Sequence, residues 1–159
     1  MALLNLPPSE ENIFLKTPSQ EVPVEAIAGT EMKQLIEDMR GTMHHWTGLG
    51  LAAVQVLKPI KLIVVLNNEG EIYSLFNAKI IKVSQTKEKM LEGCMSLPGI
   101  EVEVERPVGI TVEYVDERGH KQIKKVAGLE AKIIQHEVDH TEGILITDRG
   151  APYHRHNIG

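Results

Sequence analysis

The stretch QHEVDH, Gln135 to His140, spells HExxH, and the reading of the whole chain turns on whether it lies on a helix. From Leu129 to His140 the apolar residues recur at helical spacing. At ~100° per residue, His136 and His140 fall ~40° apart on one face and about one turn apart along the axis, so both imidazoles can reach a single ion. Leu129 and Ile133 share that face, which leaves two core histidines as the alternative. Glu137 sits just off the stripe, where a carboxylate can take a proton from an activated water without ligating the metal.

Two histidines leave a catalytic tetrahedral site one protein ligand short. In the HExxHxxGxxH pattern of metzincin proteases a third histidine fills it; here Gly143 is in place but Ile146 occupies the histidine position. Glu142 follows His140 too closely to match the later glutamate of thermolysin-like enzymes. The remaining candidate is Cys94 in EGCMSLPG, Glu92 to Gly99. A thiolate is a good zinc or ferrous ligand, and Gly93 and Pro98 suit a sharp turn beside it. A lone cysteine is more often a small buried hydrophobe, but the turn residues around Cys94 argue for a ligand.

Upstream, TGLGLAAVQV (Thr47 to Val56) fits GxGxxA, one spelling of a dinucleotide-binding turn. That fingerprint requires a strand before the glycines and a phosphate-capping helix after them. Here the order is reversed. Met32, Leu35, Ile36, Met39, Met43 and Trp46 mark an amphipathic helix from Thr30 to Trp46, before the glycines. After Pro59, KLIVVLN reads as a buried strand, NNEG as a turn and EIYSLF as its partner. A second hairpin follows, with Ile110, Val112 and Tyr114 on its apolar face and a DERG turn. The glycines are therefore read as close-packing residues, which leaves the polar Gln55 beside them unexplained.

The 159 residues suit one compact unit, residues 1–159, with 42% apolar and 25% charged residues. A net charge of -5 without a basic run argues against nucleic acid as a direct ligand. The start MALLNLPPSEENIF lacks a basic, apolar leader, and no window approaches the ~20 apolar residues of a membrane span. With a single cysteine no internal disulfide can form, so a reducing cytoplasm is the expected location.

Taken in order, GLGLAAVQ (Gly48 to Gln55), EGCMS (Glu92 to Ser96) and QHEVDH resemble the three signature motifs of the peptide deformylases. The surroundings VERP at Arg106, GLEAKIIQHE and GILITDR are similar to that family too, so the resemblance runs from about Leu35 to Arg149. It implies an α+β fold in which antiparallel β-sheets surround a central HExxH-bearing helix, with an N-terminal amphipathic helix. It also implies one ion per chain, Fe2+ with Zn2+, Ni2+ or Co2+ as substitutes, held by Cys94, His136 and His140. The activity implied is removal of the formyl group from nascent N-formylmethionyl peptides, with release of formate.

By the same resemblance, Glu137 is the general base, and Gln55 with the Met95 backbone N–H stabilises the oxyanion. Met90, Leu129 and Ile133 would line the methionine pocket, Leu49 and Gly50 would pair with the extended substrate, and Glu92 with Arg106 would form a buried ion pair behind the site. Three departures stand out: Met95 and Thr141 replace usual leucines, and Lys132 lies at the pocket rim. No ribosome-docking helix is evident after GILITDR, and His154 and His156 of the tail are expected to be solvated. Two other readings compete: a metallopeptidase or amidase acting on unformylated substrates, and a peptide-binding module that keeps the fold without turnover.

Overall fold

The computed structural model describes residues 2–154; His156 and its neighbours at 155–159 lie outside them. The run LIVVL forms β2 (Leu62–Leu66), and it is apolar at every position because both of its faces are covered. Ile63 and Val65 point into a core shared with the HExxH helix, whereas Leu62 and Val64 point into a second core under the N-terminal helix. Strand alternation thus divides one short segment between two cores.

β2 is the second strand of a five-stranded antiparallel sheet in the order β1-β2-β3-β6-β7. The others are β1 (Gly50–Ala52), β3 (Ile72–Val83), β6 (Gly109–Val115) and β7 (Lys121–Ala127). The two hairpins read from the sequence are β2–β3 and β6–β7. In the middle of β3 the register shifts after Phe76, where Asn77 takes φ 53° and its amide clamps the Val22 N–H and C=O at 2.8 Å each. Asparagine tolerates that left-handed conformation better than most residues.

A three-stranded sheet, β4-β5-β8, packs on the other side: β4 (Lys87–Cys94), β5 (Leu97–Pro107) and β8 (Pro152–His154). Sequence periodicity does not reveal β4, because KEKMLEGC is an edge strand with little buried surface and no apolar alternation. Two helices complete the frame after the short α1 (Val24–Ile27). The first, α2 (Thr30–His45), lays Ile36, Met39 and Met43 on one face of the large sheet. The second, α3 (Gly128–Thr141), carries QHEVDH and packs Ala131, Ile134 and Val138 between the sheets. No helix among the described residues is long and apolar enough to cross a membrane.

The start of α3 is fixed from a distance. Its N-cap, Ala127, has no side-chain hydrogen bond to offer, so the free amides of the first turn need other partners. Asn68 Oδ1 accepts the Glu130 N–H at 3.2 Å, while Glu130 Oε1 accepts the Asn68 N–H at 2.9 Å. Glu130 Oε2 also accepts from the Tyr73 hydroxyl at 2.7 Å and from Lys124 Nζ at 3.0 Å. Burial alone would raise the Glu130 carboxyl, but these bonds outweigh it and hold it below its ordinary 4.5.

Glu130→Ala strips the Tyr73 hydroxyl and the Asn68 N–H of their acceptor and is expected to cost about 2–3 kcal/mol in urea unfolding at pH 7. A depressed native carboxyl contributes stability above its unfolded value and loses it on acidification. The gap between wild type and variant should therefore narrow as the pH falls below 4.5; a gap that widens would contradict the assignment.

Candidate metal centre

The two parts of the site arrive on different elements. α3 presents His136 and His140 one turn apart, with ring centroids separated by 5.1 Å. The tip of the β4–β5 hairpin presents Cys94, where the register shifts as the partner changes from Glu101 opposite Gly93 to Leu97 opposite Cys94. Cys94 Sγ lies 3.3 Å from His140 Nε2, and the ligand atoms of Cys94, His136 and His140 all fall within 4.8 Å of one another. Such a thiolate and imidazole set suits a first-row divalent ion. The His136 ring is already oriented for one, since its Nδ1 bonds Glu92 Oε1 at 2.8 Å and leaves Nε2 free to ligate.

Glu92 and Arg106 pair behind the cluster as expected, with Nε–Oε2 at 2.6 Å and Nη2–Oε1 at 2.9 Å. Burial would raise the Glu92 carboxyl, yet hydrogen bonds from His136 and Arg106 and the guanidinium charge hold it at about 2. The network extends further than the sequence suggested. Arg106 Nη1 reaches Asp139 Oδ2 at 3.0 Å, and Arg149 grips the same carboxylate at 2.7 and 3.1 Å. Asp139 lies inside the HExxH motif and Arg149 inside GILITDR, but neither spacing nor charge pattern pairs them in advance.

Glu137 has the opposite environment. Its Oε1 is buried without a hydrogen-bond partner among the described residues, and burial pushes its carboxyl up to about 7. A Cβ added to Gly50 would lie 2.8 Å from Glu137 Oε2 and from Ile133 Cγ2, so the β1 backbone passes directly over this carboxylate. Gln55, in the short 3-10 turn after β1, is almost fully buried. Its Oε1 accepts the Ala52 N–H at 2.9 Å, which turns Nε2 toward Ser96 Oγ at 3.1 Å and Cys94 Sγ at 3.6 Å. Ser96 is a second contact that the sequence did not single out.

A cleft of about 410 Å3 opens onto these groups. Leu49, Gly50, Met90, Leu129 and Ile133 all line it, together with Gln55, Cys94, Met95, His136 and Glu137. The rim residue Lys132 is buried against its wall, with Nζ 2.8 Å from Glu88 Oε2 and 3.6 Å from Met90 Sδ. Met95 packs its side chain against Gly48. Thr141 closes α3 with polar contacts: its hydroxyl donates to Val138 O at 2.6 Å, and its carbonyl accepts the Ser19 N–H at 2.8 Å. His44 and His45 lie exposed at the end of α2, away from the cluster. Trp46, placed by periodicity on the buried face of α2, is instead exposed and borders the cleft.

The family model described as polypeptide deformylase matches residues 8–156. Peptide deformylase of Rhizobium meliloti is 42% identical over 130 residues, covering 79% of this chain and 74% of that one. The enzyme of Finegoldia magna is 41% identical over 142 residues, covering 88% and 85%. Among solved structures, peptide deformylase from Thermotoga maritima superposes with a TM-score of 0.87 at 32% identity, covering 96% of this chain and 100% of that one. The Met-Ala-Ser-bound class I type b peptide deformylase from Acinetobacter baumannii does so with a TM-score of 0.87 at 29% identity, covering 93% and 98%. With the motifs, the fold and the relatives in agreement, the chain belongs to the polypeptide deformylase family.

Proposed function

We propose that this chain hydrolyses the formyl amide of N-formylmethionyl peptides, acting as one catalytic unit that releases formate and a free amino-terminal methionine. The observation that carries the reading is the convergence of Cys94, His136 and His140 beside the unpartnered carboxylate of Glu137, under the backbone of β1. Cys94, His136 and His140 would hold one divalent ion, Fe2+ or in its place Zn2+, Ni2+ or Co2+. When bound, the ion supplies Lewis acidity and lowers the pKa of a water in the site.

Glu137 takes the proton of the attacking water, whose oxygen adds to the formyl carbon. The Gln55 amide and the Met95 backbone N–H donate to the oxygen that gains charge, each such donor contributing about 3 kcal/mol to the transition state. The carbon–nitrogen bond then breaks, and Glu137 returns the proton to the leaving amine. The methionine side chain enters between Met90, Leu129 and Ile133, while the peptide extends beside Leu49 and Gly50 as an added strand. The Met-Ala-Ser bound to the Acinetobacter neighbour supports an occupant three residues long.

Anaerobic protein loaded with ferrous iron should release formate from a formyl-Met peptide, and Glu137→Ala should slow that release by about 10²- to 10⁴-fold. Equal turnover by the variant would remove the general-base role. Arg106→Ala leaves the Glu92 and Asp139 carboxylates short of their shared cation, and loss of a contact that orients a ligand commonly weakens metal binding about 10- to 100-fold. Metal content after equilibration at fixed free Fe2+ or Zn2+ should fall accordingly; wild-type content and activity would rule the role out.

A further inference from the structure

Trp46 is the only tryptophan in the chain, and 53% of its surface is exposed. The helical period would bury it with Met39 and Met43, but α2 ends before it. Trp46 N–H still bonds Thr42 O at 3.1 Å, after which Thr47 takes φ 55° and the chain swings into the glycine stretch. The indole is left on the cleft wall, held edge-on by His45 with ring centroids 5.4 Å apart. Leu49, also exposed, continues the same rim. A large aromatic surface with no place in either core retains most of its apolar area for a ligand.

Strand register says which part of a peptide meets it. Leu66 N–H bonds Leu49 O at 2.9 Å, so Leu49 and Leu51 turn their polar backbone groups toward β2. Alternation then directs the Gly50 N–H and C=O to the open edge. A peptide added antiparallel to β1, with its first residue opposite Gly50, sets its second opposite Leu49 and its third opposite Gly48. First and third side chains fall on the same side of the added strand, facing the cleft, and the second faces water. Beyond Gly48 the protein chain turns away at Thr47, so the large side chains of the cleft that border the third position are Met95, which packs on Gly48, and the exposed Trp46.

Resting on the formylpeptide reading above, we propose that the Trp46 indole is the subsite for the third residue of the substrate and selects apolar or aromatic side chains there over small polar ones. The test compares kcat/KM of the metal-loaded protein for formyl-Met-Ala-Leu, formyl-Met-Ala-Phe and formyl-Met-Ala-Ser, in wild type, Trp46→Ala and Trp46→Phe. Wild type should favour Leu and Phe over Ser by about five- to tenfold, expressed in KM, as expected for one added apolar or aromatic contact. Trp46→Ala should reduce the ratio to about twofold or less, and Trp46→Phe should keep most of it. An unchanged ratio in Trp46→Ala, an absent preference in wild type, or a uniform loss on all three peptides would each overturn the subsite. Should wild type release no formate from any of them, the deformylase reading is what fails. Emission from the sole indole then decides the subsite: a shift with Met-Ala-Phe but not Met-Ala-Ser supports it, and equal responses or none overturn it.

Discussion

The buried contact between Glu92 and Arg106 joins the two pieces of structure that must meet for the site to exist. Cys94 lies at the tip of the β4–β5 hairpin, while His136 and His140 lie on α3. Glu92 comes from β4, Arg106 from β5, and their partners His136 and Asp139 from α3. Neither carboxylate is stable in this interior alone, because desolvating an ion costs several kcal/mol unless partners compensate it. All of these groups are satisfied together only when hairpin and helix are seated in one register. The ion network therefore acts as a lock on geometry more than as a source of net stability, and the position of Cys94 relative to the histidines follows from it.

The same helix places two acids in opposite environments. Asp139 and Glu137 are two residues apart, and both are largely buried. Asp139 meets two guanidinium groups, Arg106 and Arg149, and serves as an anchor for β5 and for the segment after α3. Glu137 meets none, keeps an unpartnered oxygen and is pushed up toward neutrality by burial. A carboxyl near neutrality can both accept and return a proton. The two arginines at Asp139 and the lack of one at Glu137 thus give neighbouring acids of one helix opposite surroundings.

Much of this was legible in the sequence because its signals are local. HExxH puts two histidines on one helical face with a glutamate beside them, and the LIVVL run with its turn announces β2 and β3. Cys94 is already the remaining candidate once other third ligands fail, whereas Gln55 acquires a role only through the order of motifs shared with a family. What stayed hidden depends on long-range pairing. β4 is an exposed edge strand whose membership of a sheet follows from β5, not from its own pattern. Asp139 and Arg149 look like ordinary surface charges until the fold sets Asp139 between Arg149 and Arg106. Trp46 was misplaced because the helical period was carried one residue past the end of α2, where Thr47 reverses the chain.

The TGLGLAAVQV stretch shows why small residues, and not merely a turn, are needed there. At Gly50 any Cβ would occupy the space of Glu137 Oε2 and Ile133 Cγ2, both 2.8 Å away. At Gly48 the neighbour is the terminal methyl of Met95, also at 2.8 Å, which is the end of a flexible side chain and a softer obstacle. Gly50 thus lets an open strand edge run directly over the Glu137 carboxylate, while Gly48 leaves room for the end of the Met95 side chain. Neither glycine has a positive φ, so the demand is steric and not conformational. A nucleotide cradle uses its glycines to admit a phosphate to the backbone; here Gly50 brings the protein's own backbone to a buried carboxylate and does so on an edge strand of the large sheet.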